Sequence, residues 1–384
     1  MRETIFFLAL ASANSGISMR VIEPLLPRLA EEFGTTVAAS SIVITAYGLS
    51  SAIGTLIHGP LGDRFGKLRL ATLAMFGAAV GSIACAFAHA IVTLAVWRFI
   101  TALFGSASVT LGMAYIGDRV PLADRQPVIA RFVGGTIVGQ ALGPLFGGLL
   151  TDVMGWRGAF VLLGAVFAVV SATLFIRTRP QWQEEKRSGP GGNPFTVHLR
   201  LLGVKRVRYV LGAALIDSFL FFGAYSFLGA FLKLKFDLSL TAIGAILAGF
   251  GIGGVLYTLM VRPLLRRFGQ PGLVAWGGVI CCIAFAAVVL TPVWAVTAIG
   301  TVTLGFSFYM LHNTVQIKAT EMAPQARGAS VAIYASFWAL GQATGVAAMG
   351  VAVGAFSYAP SIIAFGIGFA ALGLWMRTNL HRLS

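Results

Sequence analysis

Four ionisable side chains stand inside long runs of apolar residues, where a charge is costly. They are Arg20, Glu23, Arg98 and Asp217. On membrane-insertion scales such a residue costs about 2.5–3.5 kcal/mol at the centre of a spanning helix, so these residues usually pair or line a wet cavity. Each of the four is therefore a candidate for binding a proton or a charged group.

Arg20 and Glu23 are three positions apart, so on a helix they share one face and can form an ion pair. Helical rise puts Arg20 about 13 Å below Leu29 and Arg98 about 9 Å below the start of its own apolar run. A buried cluster of Arg20, Glu23 and Arg98 is geometrically possible if the two runs face each other. Two interpretations stay open, a static ion-pair network and a site for a proton or a substrate.

Asp217 has no basic neighbour in the sequence. A carboxylate in apolar surroundings loses the solvation of its charged form, so burial favours the protonated form. A carboxyl group that can gain or lose its proton as its surroundings change can act as a proton carrier. The alternative is a structural hydrogen bond from Ser218 or Asn313. Other polar or aromatic residues at membrane depth either line a cavity or pack as ordinary interior side chains: Asn14, Tyr225, Tyr309, Asn313 and Trp338.

The amino-acid composition indicates the class of protein in which these residues are placed. Of the 384 residues, 57% are hydrophobic and only 11% are charged, whereas soluble domains are about 25% charged. An ordinary soluble enzyme and a disordered chain are both excluded. The net charge of +15 comes from basic residues between apolar blocks, which favours loops facing lipid headgroups over nucleic-acid binding.

Several other functions are excluded by missing motifs. The sequence has no Walker loop, which excludes an ATP-driven pump, and its five histidines are too scattered for a zinc site. Its three cysteines lie in apolar runs and imply no disulfide framework. We therefore expect no enzyme, no cofactor and no metal.

Twelve stretches are long enough to cross a bilayer, which takes about 20 helical residues. None alternates polar with apolar residues as barrel strands do. We therefore predict an all-α membrane protein with twelve transmembrane helices in two pseudo-symmetric six-helix bundles. The stretches are 4–29, 40–58, 70–88, 92–115, 127–151, 158–177, 209–232, 240–261, 272–292, 294–316, 327–350 and 358–377.

Charge sets the predicted orientation, because most Lys and Arg residues fall on one side of these spans. Both termini are expected in the cytoplasm, in a multi-pass protein of the inner membrane without a cleaved signal peptide. The polar segment 178–208, rich in proline and glycine, is interpreted as a flexible cytoplasmic linker between bundles 1–177 and 209–384.

Two sequence patterns recur at a nearly constant offset. Pro60-Leu61-x-x-Arg64-Phe65-Gly66 returns 203 positions later as Pro263-Leu264-x-x-Arg267-Phe268-Gly269. Gly139-Gln140-Ala141-x-Gly143 returns 202 positions later as Gly341-Gln342-Ala343-x-Gly345. The chain is therefore interpreted as a duplication, and transporters built from repeats bind substrate near the midplane, where the repeats meet.

Small residues mark the helix surfaces that can approach closely in lipid. Glycines 135, 139, 143 and 147 form a stripe in the fifth predicted span, with Pro144 inside it. The eighth span offers Gly244, Ala248, Gly251 and Gly254 as a partner. We expect these two spans to pack closely, and to form a seam between the halves that excludes protons and ions.

Three motifs carry a family resemblance. Gly59-x-Leu61-Gly62-Asp63-Arg64-x-Gly66-Lys67-x-Arg69 resembles the loop motif of the major facilitator superfamily. Arg98 with Gly105 is similar to that family's span-four motif, with Phe104 in place of the usual glutamine. Gly139-x-x-x-Gly143-Pro144-x-x-Gly147-Gly148 resembles the motif of proton-coupled exporters in the twelve-helix drug-antiporter group.

This resemblance implies alternating access by two rocking halves. It also implies that Asp63 locks the outward-facing state through the start of span eleven, near Arg327. The alternative is that the basic residues of this loop only set the orientation of the spans in the membrane. The residues expected to take part in gating are Gly59, Asp63, Arg64, Gly66, Lys67, Gly139, Gly143 and Pro144.

The function expected first is proton-coupled export of small apolar or amphipathic compounds by a monomer that contacts membrane lipid. Glu23 and Asp217 would carry the proton, while Arg20 and Arg98 shape the substrate site with the residues at membrane depth. The alternative is a carrier, importing or exporting, of an anionic or polar metabolite that uses both arginines for the solute's charge. A non-transporting sensor or enzyme on the same scaffold is a third class.

Overall fold

The computed structural model describes residues 2–182, 194–323 and 327–383, and the regular elements in these ranges are helices. Short 3₁₀ turns follow three of them, at Glu23–Leu25, Arg179–Trp182 and Leu380–Arg382. The helices are α1 (Arg2–Arg20), α2 (Leu26–Glu32), α3 (Val37–Ser40), α4 (Ile42–Phe65), α5 (Lys67–Cys85), α6 (Ile91–Gly105), α7 (Ala107–Arg119), α8 (Leu122–Thr178), α9 (Pro194–Gly203), α10 (Lys205–Phe236), α11 (Leu240–Leu290), α12 (Trp294–Glu321), α13 (Arg327–Phe356) and α14 (Tyr358–Asn379).

Within the described ranges, ten helical stretches are long and apolar enough to cross a membrane. The protein is a multi-pass, all-helical membrane protein. Two of the stretches, Pro127–Thr178 and Leu240–Leu290, are 52 and 51 residues long, more than twice the length that a bilayer requires. Each is interrupted by one glycine in the left-handed region, Gly155 at φ 77° and Gly269 at φ 62°. The predicted span pairs 127–151/158–177 and 240–261/272–292 lie on either side of these two glycines.

Gly66 makes the turn between α4 and α5. Its φ of 94° is a conformation that glycine adopts at no steric cost and other residues rarely adopt. Gly269, 203 positions later, also has a positive φ. The recurring loop pattern therefore folds with a left-handed glycine in both copies.

The first predicted span is one segment in the sequence and an interrupted helix in the structure. α1 ends at Arg20, a 3₁₀ turn begins at Glu23, and α2 continues from Leu26. Pro24 lies inside this turn and has no backbone N–H to donate, so a continuous α-helical ladder cannot pass through it. Arg20 and Glu23 lie on either side of this break in the helix.

The predicted linker 178–208 is partly helical. It contains α9 and the start of α10, while residues 183–193 lie outside the described ranges. The prediction of a flexible segment therefore does not hold for 194–203. Val204 alone separates α9 from α10, so this end of the linker is continuous with the second half of the chain.

Gly139 and Gly143 of the α8 stripe pack on α1. The fifth and eighth spans do pack closely, as expected, but α11 meets α8 at residues other than the glycines of the stripe. A Cβ at Gly139 would meet the Ala13 carbonyl, and one at Gly143 would lie 3.1 Å from the Ile17 carbonyl oxygen. The equivalent glycines of α13 repeat this pattern on α10, because Gly341 faces Leu215 and Gly345 faces Phe219. All four contacts are related by an offset of 202, so the duplication extends from sequence to packing.

Other residues of the same helices join the two halves of the chain. α8 meets α11 where Gly251 faces the Ala141 side chain and Gly244 faces the Pro144 carbonyl. At the end of this contact, Asp152 accepts hydrogen bonds from the Thr241 N–H at 2.8 Å and its hydroxyl at 2.6 Å. Gly251 and Ala141 thus lie near the membrane middle. We call the end of the molecule at which Asp152 meets Thr241 the "Asp152 end".

A second junction joins α4 to α13. Gly48 faces Ala343, and the Ser336 hydroxyl donates to the Ala52 carbonyl at 2.9 Å. Ala52 is ten residues into α4, or about 15 Å from its start by helical rise. Both junctions therefore hold the halves together from the membrane middle to the Asp152 end. We call the opposite end, where α4 ends, the "Asp63 end".

Candidate functional site

The interruption of the first span creates a buried ion pair. Arg20 Nη1 lies 2.7 Å from Glu23 Oε1, and the two residues are 3% and 0% exposed. The pair that the three-residue spacing predicts is therefore present. A buried pair with this geometry offsets part of the cost of removing both charges from water, and loss of either partner would leave the other uncompensated.

This pair lies where the two halves of the chain touch. The Arg20 guanidinium carbon is 3.9 Å from the centre of the Phe222 ring on α10. The Ser226 hydroxyl, also on α10, donates to Glu23 Oε1 at 3.4 Å. Gly229, one turn further along, faces the Glu23 carbonyl so closely that a Cβ there would be 2.9 Å from the oxygen. A change in the charge of Glu23 therefore changes the interactions of this residue with α10.

Asp217 forms a second buried pair and is not the lone acid that the sequence predicts. His312 Nδ1, on α12, lies 2.6 Å from Asp217 Oδ2. Neither Ser218 nor Asn313 takes the expected role among the described residues. The Ser218 hydroxyl donates to backbone carbonyls, including that of Trp338 at 2.6 Å, and the partner of the carboxylate is His312. The two residues are 95 positions apart, so no local spacing reveals the pair.

Aromatic rings connect the two ion pairs. The Phe222 ring, which contacts Arg20, lies edge-on to the Trp338 indole with centroids 5.3 Å apart. Trp338 in turn lies 5.8 Å from His312, and His312 stacks on Phe308 at 4.7 Å. The two pairs and these rings therefore form one continuous cluster that crosses from the first half of the chain to the second.

Several polar atoms in this cluster have no hydrogen-bond partner among the described residues. Since buried polar groups are nearly always hydrogen-bonded, a proton, water or solute would complete their bonding. These atoms are Arg20 Nη2, Glu23 Oε2, Asp217 Oδ1, Tyr334 Oη and Trp338 Nε1.

Arg98 does not join the pair of Arg20 and Glu23. Its guanidinium, fully buried, donates to the Ser18 carbonyl at 2.7 Å and lies 4.1 Å from the centre of the Tyr47 ring. The cluster of three residues that the depth estimate allows is therefore not formed, because a backbone carbonyl that belongs to α1 takes the place of the carboxylate. Arg98 joins α6 to α1 and α4.

The remaining candidates at membrane depth divide into two groups. Asn14 and Tyr225 are buried and make interior bonds, from Asn14 to the Leu163 carbonyl at 3.1 Å and from Tyr225 to the Leu247 carbonyl at 2.6 Å. Tyr309, Asn313 and Trp338 are only half-buried. The second group can face a solute, whereas the first serves the packing of the helices.

The loop motif forms a charged cluster at the Asp63 end. Lys67 pairs with Asp63 at 3.3 Å and also hydrogen-bonds Asp118, near the end of α7. Asp118 is missing from the sequence interpretation, although it is the acid beside Arg119 at the end of the adjoining predicted span. The expected contact of Asp63 with the start of span eleven falls at residues 324–326 and the Arg327 side chain, outside the described part of the chain.

Comparisons with known proteins agree with this architecture. The profile of the Major Facilitator Superfamily matches residues 8–346. The transporter YwfA of Bacillus subtilis, of the same type and uncharacterised, is 30% identical over 62% of this chain and 58% of its own length. The efflux pump FUB11 of Gibberella fujikuroi is 32% identical over 38% of this chain and 25% of its own length, so the chain spans only part of these relatives.

A solved structure has the same fold over almost the whole chain. It is a bacterial homologue of the human lysosomal transporter Spinster in an inward-facing, unoccupied conformation. The TM-score is 0.80, with 19% identity, and the match covers 99% of this chain and 98% of that one. The chain therefore belongs to the Major Facilitator Superfamily, and it is a transporter and not an enzyme.

Proposed function

We propose that the chain crosses the membrane twelve times in two six-helix bundles, 1–177 and 209–384, joined by 178–208. The interruptions at Gly155 and Gly269 support this count, since each divides a stretch of about fifty residues into two of spanning length. The matching contacts of Gly139 and Gly341 support the pseudo-symmetry. The charge asymmetry of the loops favours an inner-membrane protein with both termini in the cytoplasm.

The bundles work by alternating access, and the cargo site opens first to one end and then to the other. The junctions of α8 with α11 and of α4 with α13 close the Asp152 end in this conformation. The small residues in these junctions allow the close approach that seals a path against protons. Asp63, Lys67 and Asp118 belong to the opposite end and act when that end closes.

The transport reaction is proton-coupled export of small apolar or amphipathic compounds. The observation that supports it best is the contact between halves at Glu23, where Ser226 and the paired Arg20 meet one carboxylate. Protonating Glu23 removes the negative charge that compensates Arg20. The buried Arg20 guanidinium then faces a neutral carboxyl group and the Phe222 ring, so the contact between the halves changes with the proton.

Asp217 supplies a second proton site in the C-terminal bundle. Its carboxylate shares a hydrogen bond with His312, which can hold a proton on a ring nitrogen. A proton that moves down 100 mV provides roughly 2.3 kcal/mol, which drives an approximately fiftyfold gradient of a neutral solute in one-to-one exchange. One proton is therefore enough for useful export.

The cargo occupies the space beside the half-buried Tyr309, Asn313 and Trp338. Aromatic faces with one amide suit compounds that are largely apolar with a polar group. The similarity of one stretch of the chain to the fungal efflux pump supports export over import.

The competing function is transport of an anionic metabolite on Arg20 and Arg98. The contacts weigh against it, because Arg20 is paired with Glu23 and Arg98 is directed at Ser18 and Tyr47. Replacing Arg98 with Gln discriminates the two. Anion transport would fall by orders of magnitude, whereas export of apolar cargo would change only severalfold.

The deciding experiment is transport by the purified full chain in liposomes with an imposed pH gradient and a panel of cationic, neutral and anionic solutes. We expect gradient-driven flux of an apolar or amphipathic solute, and loss of the gradient dependence in Glu23→Gln and Asp217→Asn. Asp237→Asn is the matched control, since this carboxylate is exposed and lies beyond the end of α10. Equal flux with both buried acids neutralised and no gradient would contradict proton coupling.

A further inference from the structure

An apolar groove lies between α10 and α14, away from the site described above. It has a volume of about 470 Å³, within the roughly 300–1,000 Å³ of small-molecule sites. Ile216 and Trp375 line it and are 43% and 38% exposed. On helices that span a membrane, such side chains face the hydrocarbon of the bilayer.

The mouth of the groove lies at the Asp63 end. α10 runs parallel to α13, whose start is next to the end of α4, and α14 returns antiparallel to α10. The beginning of α10 and the end of α14 therefore meet at this level. Arg208 and Tyr209 line the groove there.

Two exposed arginines stand at this mouth. Arg208, the fourth residue of α10, lines the groove, and Arg382 donates to the Tyr209 hydroxyl at 3.4 Å. Arg206 donates to the Leu383 carbonyl at 3.0 Å and so holds the C-terminal turn against α10. The positions of Arg208 and Arg382 are thus fixed relative to each other.

Among the described residues, these two arginines have no acidic partner. The ion pairs of this region join Glu321 to Arg206 at 4.0 Å and to Lys318 at 3.5 Å. In the described part of the chain, two positive charges without a carboxylate partner therefore stand beside a membrane-facing apolar groove. A ligand that matches both features carries a negative group joined to a long apolar chain.

We propose that this groove binds an anionic phospholipid, with an acyl chain between α10 and α14 and the headgroup phosphate at Arg208 and Arg382. Basic pockets between membrane helices recognise acidic headgroups in this way. The guanidinium groups donate to the phosphate oxygens, and the Tyr209 hydroxyl adds a further donor. Since α10 also carries Asp217, the lipid steadies the helix that holds the second proton site.

The first test measures lipid retained by the purified full chain in detergent, by native mass spectrometry. We expect phosphatidylglycerol to be retained at least about tenfold better than phosphatidylcholine with the same acyl chains. Arg208→Gln with Arg382→Gln should abolish this preference. The matched control, Arg262→Gln with Arg266→Gln, removes two exposed charges near the end of the first part of α11 and should leave the preference intact.

A second variant tests the groove and keeps every charge. A Cβ at Gly212 would meet nothing within 4 Å, so Gly212→Phe fits without displacing the helices and fills the groove. It should lower phosphatidylglycerol retention severalfold. Gly354→Phe, at another position with open space, is the control.

Four results would overturn the proposal. The first three are equal retention of both lipids, equal losses in the two double-arginine variants, and unchanged retention in Gly212→Phe. The fourth is full displacement of the lipid by inorganic phosphate, because the acyl chain would then contribute nothing. The assay needs neither cargo nor a pH gradient, so its outcome is independent of proton coupling.

Discussion

Ser226 donates a hydrogen bond to Glu23, and the two residues are 203 positions apart. Equivalent positions of α1 and α10 are 202 residues apart. The bond therefore joins positions that are one residue away from equivalence, and it lies close to the axis that relates the two halves. A residue on such an axis contacts both halves whichever way they rock.

The bond between Ser226 and Glu23 is expected to matter for transport more than for stability. Hydrogen bonds to charged groups contribute about 1.5–3 kcal/mol, and this one, at 3.4 Å, is long. Ser226→Ala should therefore slow gradient-driven transport by roughly threefold to tenfold. Ser361→Ala removes a hydroxyl that bonds only within α14 and serves as control. Equal rates in both variants would exclude a coupling role for Ser226.

Asp217 and His312 should behave as one unit. Removing one partner of a buried pair typically costs about 3–5 kcal/mol, so His312→Ala and Asp217→Ala should each lower the melting temperature in detergent. The double variant Asp217→Asn with His312→Gln replaces the pair by neutral groups able to hydrogen-bond, and should recover most of the stability but no proton-driven transport. A double variant that couples protons normally would remove the pair from the mechanism.

Gly143→Leu should disrupt the first half of the chain from within. The new side chain would collide with α1 at the Arg20 Cβ and the Ile17 carbonyl. Overpacking of this kind costs about 1–3 kcal/mol, and here it also displaces Arg20. We expect a lower melting temperature and little transport. Gly134→Leu, on the same helix where a Cβ meets nothing within 4 Å, should be close to wild type in both measurements.

A cross-link at the Asp152 end should stop turnover. Asp152 and Thr241 are hydrogen-bonded across the halves, so cysteines at both positions should form a disulfide in this conformation. Transport should fall to background after oxidation and return on reduction. The single variants, treated in the same way, are the controls. Full transport by the quantitatively cross-linked protein would exclude opening at this end.

Lys67 has two acidic partners, and the loop cluster should depend on both. Asp63→Asn and Asp118→Asn should each reduce the turnover rate severalfold without changing the affinity for cargo, because neither residue lies near the cargo site. Exposed pairs contribute little to stability, so the melting temperature should change by only a few degrees. If both variants turned over at the wild-type rate, the loop would serve only to set the orientation of the spans in the membrane.

Much of this architecture can be predicted from the sequence. The left-handed Gly66 and Gly269, and the parallel contacts of Gly139 and Gly341, fall at the positions that the repeated patterns mark. The Arg20–Glu23 pair follows from a spacing of three and the helical period. These features are local, so short stretches of sequence contain the information that determines them.

What could not be predicted depends on contacts between distant helices. Nothing within reach of Asp217 in the sequence indicates His312, and the carbonyl of Ser18 that holds Arg98 has no side-chain signal at all. The glycine stripe was assigned to α11 because α8 carries small residues on two faces. Gly139 and Gly143 meet α1, whereas Ala141 on the other face meets α11.

The pairing of Arg20 with Glu23 inside one turn has an electrical consequence. With both groups ionised, the charges of Arg20 and Glu23 cancel, and among the described residues the buried Arg98 is left as the uncompensated deep charge of the first half. A proton on Glu23 adds one further positive charge to the half that reorients. The proton-loaded and the proton-free carrier should therefore reorient with different dependence on the membrane voltage.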